Sequence, residues 1–180
     1  MYIWCAIELD RQLGEVRKAA KKTTCRLGTD NPALTLPLHI SLKISCEIED
    51  GRFDEARKRI ADHFSGITPF EIQPIGIERE GGILWIRHKE SEELRSLHEW
   101  LVKLFEEKYS VAPHEFDLDF AYHSSLFVGD EKEAGAAYEM LKDISLPESL
   151  IADSFVIGCS ESGKAGEYKV VQIVGCKAQN

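Results

Sequence analysis

The chain has 180 residues, 43% of them hydrophobic, which is enough for a substantial core and excludes a disordered chain. Its formal net charge of −9 excludes a protein that coats long nucleic acid, which needs a strong basic face. The charge is uneven, however: residues 1–45 carry seven Lys/Arg against four Asp/Glu, so a local basic surface suited to a small phosphate ligand remains open.

The N-terminal run Tyr2–Leu9 is rich in β-branched and aromatic residues and reads as a first strand. It lacks a basic n-region and turns acidic by Glu8, so a strand is expected there and not a signal peptide. Asp10 is placed to cap a helix running to about Cys25, with Leu13, Val16 and Ala20 facing the core and Arg17, Lys18, Lys21 and Lys22 on a solvated basic surface. Ala33–Ile48 then alternates without a break. Leu34, Leu36, Leu38, Ile40, Leu42, Ile44, Cys46 and Ile48 take the even positions, which predicts one long strand with its even face buried. Pro37 favours an edge or a late start there. His39, Ser41 and Lys43 are expected to project together from the other face.

An amphipathic helix is predicted over Phe53–Phe64, with Gly66 placed to end it. Thr68–Glu80 and Ile83–Arg87 read as two strands joined at Gly81-Gly82. Glu92–Tyr109 has Leu94, Leu97, Leu101, Leu104 and Phe105 at helical spacing, and Pro113 breaks the chain beyond it. Phe116–Val128 alternates again, Ser124 being the exception on the apolar parity. Glu131–Lys142 reads as a helix, and Ser154–Ser160 with Tyr168–Val174 as a closing hairpin. The order helix, His-bearing strand, helix, strand, strand thus occurs twice, with no linker between the copies. The expectation is a single α+β domain over 1–180: two lobes with a pseudo-two-fold repeat, antiparallel sheets and flanking helices around a central cleft.

No apolar run approaches the ~18 residues of a membrane helix. The five cysteines are scattered, with no Cys-x-x-Cys pair, so neither a zinc site nor a disulfide framework is expected and free thiols in a reducing compartment are. These features together predict a soluble, cytoplasmic protein without a membrane partner.

The chemistry is concentrated in Leu38-His39-Ile40-Ser41-Leu42 and Tyr122-His123-Ser124-Ser125-Leu126. In each a histidine and a hydroxyl stand at i and i+2, and on a strand those positions share a face. His-x-Ser/Thr is common by chance: six histidines should give about 0.6 matches, the usual risk with a short motif, and a third, His63-Phe64-Ser65, is indeed present. That one ends a predicted helix, where i and i+2 point about 200° apart, and His63 there reads as a residue interacting with the helix dipole. Strand context selects His39 and His123. His88, His98 and His114 have no such setting and are expected at the surface. Trp4 and Tyr2 can stack on a base, though core packing is the commoner use of such aromatics.

The two strand-borne motifs resemble the pattern of the two-histidine (2H) phosphoesterase superfamily, apolar–His–x–Ser/Thr–apolar twice in one chain. That group includes 2′-5′ RNA ligase-like proteins and cyclic nucleotide phosphodiesterases. The second motif runs on as Leu126-Phe127-Val128-Gly129, where ligase-like members often continue toward an arginine, and both hydroxyls are Ser where Thr is common.

The resemblance implies catalytic His39 and His123, phosphate binding by Ser41 and Ser125, and a reaction that needs no metal or other cofactor, at a phosphodiester of a nucleotide or an RNA end. Lys43, on the same predicted face, is a further phosphate-binding candidate. One imidazole would take a proton from the attacking water and the other would protonate the departing oxygen. Two alternatives stand beside this one. The same cleft would serve a non-catalytic protein that binds a nucleotide or RNA end, and Asp119, sharing a face with His123, is the nearest candidate for a metal ligand.

Overall fold

The structure, a computed structural model, describes residues 1–177. β1 (Tyr2–Glu8) is a central strand, and Ile3 to Ile7 are buried in succession because both of its faces are covered. Ile3, Cys5 and Ile7 enter the main core, while Trp4 and Ala6 pack with Val156 on the opposite face.

α1 (Gly14–Leu27) buries Val16, Ala20 and Thr23 and ends at Gly28, whose left-handed φ of 68° lets its N–H reach Thr24 O. The expected Asp10 cap is not made: Leu13 holds the cap position. Asp10 instead accepts the Leu38 N–H at 3.0 Å and pairs with Arg17 at 2.5 Å. Arg17 is accordingly not on the solvated surface. Its guanidinium also donates to Leu34 O and Leu36 O, at 3.0 and 2.9 Å, and so holds the segment that leads into the first motif.

That segment corrects the long-strand expectation. Pro32–Leu34 form a 3-10 turn capped by Asn31, and only β2 (His39–Ser41) and β3 (Cys46–Glu47) are strands, both antiparallel to β1. Between them the chain leaves the ladder. Lys43 turns inward, 4% exposed, onto the fully buried Asp117 carboxylate 3.0 Å away, and Ile44 N–H donates to the same carboxylate at 3.0 Å. The alternation holds for burial at Leu42 and Cys46, but a charge partner far along the chain overrides it at Lys43.

α2 (Phe53–Phe64) follows the prediction to the residue. The expected strand over Thr68–Glu80 divides into β4 (Phe70–Ile72) and β5 (Pro74–Glu80), because β4 pairs with the later β8 and β5 with its neighbour β6 (Ile83–His88). Gly81 makes the β5–β6 turn at φ 51°. α3 (Glu92–Tyr109) is capped by Ser91, which accepts from Leu94 N, and buries Leu94, Leu97, His98, Leu101 and Phe105.

Phe116–Val128 is a strand only in its second half, β7 (His123–Val128). Glu115–Asp117 is a 3-10 turn, capped by His114 and Asp117 in a reciprocal box, and Phe116 and Leu118 are exposed. α4 (Glu131–Leu141) starts with an Asp130–Glu133 capping box. β8 (Leu150–Ala152), β9 (Ser154–Ser160) and β10 (Lys169–Gly175) close the chain.

The result is an α+β fold with antiparallel sheets. One sheet runs β10–β9–β1–β2, with β3 also on β1; a second runs β5–β6–β7; β4 and β8 form a third pair. The halves of the sequence interleave: the first half's β5–β6 hairpin ladders onto the second half's β7, and the β9–β10 hairpin joins β1 and β2. Among the described residues no helix is long and apolar enough to cross a membrane.

Candidate active site

Both motif histidines lie on strands and are held in the same way. His39 Nδ1 stands 2.7 Å from Pro37 O and His123 Nδ1 2.8 Å from Ala121 O, each the carbonyl two residues upstream. A carbonyl accepts, so Nδ1–H donates in both rings and the neutral tautomer leaves Nε2 unprotonated, able to accept a proton. Neither Nε2 has a hydrogen-bond partner among the described residues.

Each ring also rests against a tryptophan from the adjacent strand. Trp4 on β1 meets His39 edge-on at 4.5 Å between centroids, and Trp85 on β6 meets His123 at 5.1 Å. Gly158 on β9 makes the first contact possible: a Cβ there would stand 2.6 Å from the Trp4 ring. Trp4 is thus mainly a packing residue, with one edge on the site.

The i+2 hydroxyls share the cleft. A cavity of about 270 Å³ is lined by Trp4, His39, Ser41, Lys43, Ser125 and Tyr168, together with Pro32, Ala33, Thr35, Leu36, Ala165 and Gly166. Ser41 Oγ accepts from Trp4 Nε1 at 3.1 Å. Ser125 has no protein partner among the described residues, which leaves its hydroxyl for a ligand.

His123 lies on the Ser125 face of β7, close enough that its charge acts on His39. Burial pushes the His39 pKa down to about 4; the Pro37 carbonyl opposes this, and His123 and Arg17 add to it. Burial lowers His123 too, with the Ala121 carbonyl opposing and the Arg87 charge reinforcing the shift. Both rings are therefore neutral at pH 7 in the ligand-free protein.

Lys43 reaches the cleft wall, but not as one of a row with His39 and Ser41. Its ammonium is held by Asp117 Oδ2 and Ile44 O. Burial disfavours the charged Asp117 carboxyl, but the N–H groups of His114 and Ile44 with the Lys43 charge outweigh it and hold its pKa below the ordinary value.

The remaining histidines differ from expectation. His88 is buried, with Nε2 2.9 Å from the oxygen of Ser124, the residue that broke the apolar parity. His98 is buried between Leu42 O and Asp117 O, at 2.9 and 3.0 Å from its two ring nitrogens. His63 stacks on Trp100 at 3.7 Å, and His114 caps its 3-10 turn. Asp119 lies apart, in a groove of about 580 Å³ walled by Glu90, Glu99, Glu106 and Glu107, an acidic lining that would repel a phosphate. Among the described residues no three or more His, Cys, Asp or Glu side chains stand together as metal ligands would.

Sequence reading missed Trp85 and Arg87 of β6, which register opposite Ser125 and His123. Their signal was the alternation of Ile83–His88, which puts Trp85 and Arg87 on one face and the buried Leu84, Ile86 and His88 on the other.

The model of the 2'-5' RNA ligase superfamily matches residues 7–158, a span that contains both motifs and the strands that carry them. The chain belongs to that superfamily. Solved structures share its fold. TT0787 of Thermus thermophilus superposes with a TM-score of 0.62 at 16% identity over 100% of both chains. Escherichia coli LigT, crystallised with 3'-AMP, gives 0.59 at 14% identity over 98% of each, and Kluyveromyces marxianus Usb1 gives 0.52 at 13% over 97% of each. These identities support likeness of fold alone. No curated protein sequence matches the chain. Membership makes this a 2H phosphoesterase-type protein, as the paired motifs implied.

Proposed function

We propose that the protein is a phosphodiesterase that opens a cyclic phosphodiester on a nucleotide or RNA end by two-histidine acid–base catalysis, without a metal ion. One observation supports this reading: His39 and His123 are held in the same way through Nδ1, His39 lines one cavity with both motif hydroxyls, and His123, on the Ser125 face of β7, is close enough for its charge to act on His39. A site with one such ring would bind; a site with two can move two protons.

In the proposed reaction one neutral Nε2 accepts a proton from water as its oxygen bonds to phosphorus. The other ring, protonated, delivers its proton to the departing ribose oxygen, leaving a phosphomonoester. Ser41 and Ser125 donate to nonbridging oxygens as charge grows there. Lys43 is left out of the phosphate-binding set: its ammonium is committed to Asp117, and it supports the strand end behind Ser41. A small nucleotide suits the modest cleft, and the LigT crystal complex with 3'-AMP shows such a ligand on the same fold in that protein.

The test is turnover of a panel of 2′,3′-cyclic nucleotides and 2′-5′-linked dinucleotides by the purified protein, with the His39→Ala/His123→Ala variant as control. Phosphomonoester formation that persists in EDTA and vanishes in the double variant is expected. Activity abolished by EDTA would overturn the metal-free reading. Binding without product would make the cleft a recognition site instead.

A further inference from the structure

Three cations act on the motif histidines or line their cleft, and they are in different states. Arg17 is spent on Asp10 and two carbonyls, and Lys43 on Asp117. Arg87 is half-buried on β6 and has neither a carboxylate nor a hydrogen-bond partner among the described residues.

Its place is defined by register. Arg87 pairs directly with His123 and Trp85 with Ser125, and directly opposed residues share a face of the sheet. Arg87 therefore shares the face of the His123 ring and the Ser125 hydroxyl. On its other side β5 presents Gly76, and a side chain there would meet nothing within 4 Å, so the flank is open. The carboxylates nearby are engaged elsewhere: Glu78, opposite Trp85, accepts from Trp85 Nε1 at 3.4 Å, and Glu90 pairs with Arg95 at 2.9 Å. A half-buried guanidinium without an acceptor, beside a neutral imidazole and an unpartnered hydroxyl, is built to receive an anion.

We propose that Arg87 is a phosphate-binding residue of the active site, its guanidinium taking nonbridging oxygens of the substrate phosphate on the His123 side together with Ser125. This deepens the phosphodiesterase reading and rests on it. The consequence is an asymmetric site: the His123 side carries a fixed positive charge, and the His39 side offers the Ser41 hydroxyl, whose oxygen accepts from the Trp4 indole. A substrate phosphate would neutralise that charge, so occupancy should let His123 hold a proton more readily.

The test needs no turnover. Affinity for inorganic phosphate and for a nucleoside 2′,3′-cyclic phosphate would be measured by calorimetry in the wild type, Arg87→Met and Arg87→Lys, with the His123 titration followed by NMR. Arg87→Met should weaken binding about 10- to 100-fold, the range for a lost hydrogen bond to a charged group, and should raise the His123 titration midpoint in the free protein. Arg87→Lys should restore that midpoint but only part of the affinity, because an ammonium lacks the fork of the guanidinium. Affinity within about twofold of wild type in Arg87→Met would overturn the proposal and leave the phosphodiesterase reading intact. A wild type that binds neither compound would overturn both.

Discussion

At the residue scale, the proposed chemistry depends on two imidazoles whose surroundings depress their affinity for protons. His39, pushed to about 4, and His123, also lowered, are both neutral at pH 7 before a ligand arrives. An anionic phosphate placed between them favours the charged form and reverses part of the shift. Binding should therefore take up protons, and calorimetry near pH 6 in buffers of different ionisation enthalpy should show it; a buffer-independent enthalpy would contradict this.

The same shifts bear on rate. The kcat/KM profile reports the free enzyme, so its bell should lie on the acid side of pH 6.5, bounded by values that belong to the coupled pair. The kcat profile, which reports the bound state, should lie at higher pH. Replacing His39 or His123 singly by Ala should lower turnover about 10²- to 10⁴-fold, the usual worth of a positioned acid or base. A loss below tenfold at either position would remove that residue from the mechanism.

At the scale of elements, the motif strands are short and are fixed by contacts that alternation does not describe. The buried Lys43–Asp117 pair joins the end of the first motif to the turn before the second, and His98 spans the same two segments. Asp117→Ala would leave an ammonium buried without a partner and should cost about 3–5 kcal/mol in urea denaturation. The Lys43→Met/Asp117→Leu pair should cost less than Asp117→Ala alone, because the charge leaves with its partner. Equal losses in the two variants would mean that packing, not charge, sets the energy there. This is also where sequence reading was least accurate. Lys43 and Asp117 each obey a strand-like alternation locally, and nothing within a few residues of either reveals the other.

At the scale of the whole molecule, buried titratable groups define a pH window of stability. His39 at about 4 and His88 at about 3 bind fewer protons folded than unfolded below their ordinary value of 6.5. Their contribution is complete above about pH 6.5 and is lost as pH falls toward 4 and below. Cys46 and Cys176, each pushed up to about 11 from 9.0, act at the other end. Their contribution is complete below about pH 9 and is lost as pH rises toward 11. The urea midpoint should form a plateau between about pH 6.5 and 9 and fall on both sides. A midpoint unchanged between pH 6.5 and 4.5 would show that His39 and His88 are not buried neutral.

The periodic parts of the protein and the identity of its motifs were legible in the order of residues. α2 and α3 could be placed because 3.6-residue apolar spacing is a local signal. His39 and His123 stood out because a strand places i and i+2 on one face wherever that strand lies. Whatever depends on distant partners was settled by folding: that Lys43 is spent on Asp117, that His88 and His98 are buried, and that β7 pairs with the first half's β6. So was the position of Arg87 beside His123. Periodicity fixes which face a side chain leaves from, but only the packing of remote segments decides whether that face meets water, a carboxylate or an imidazole.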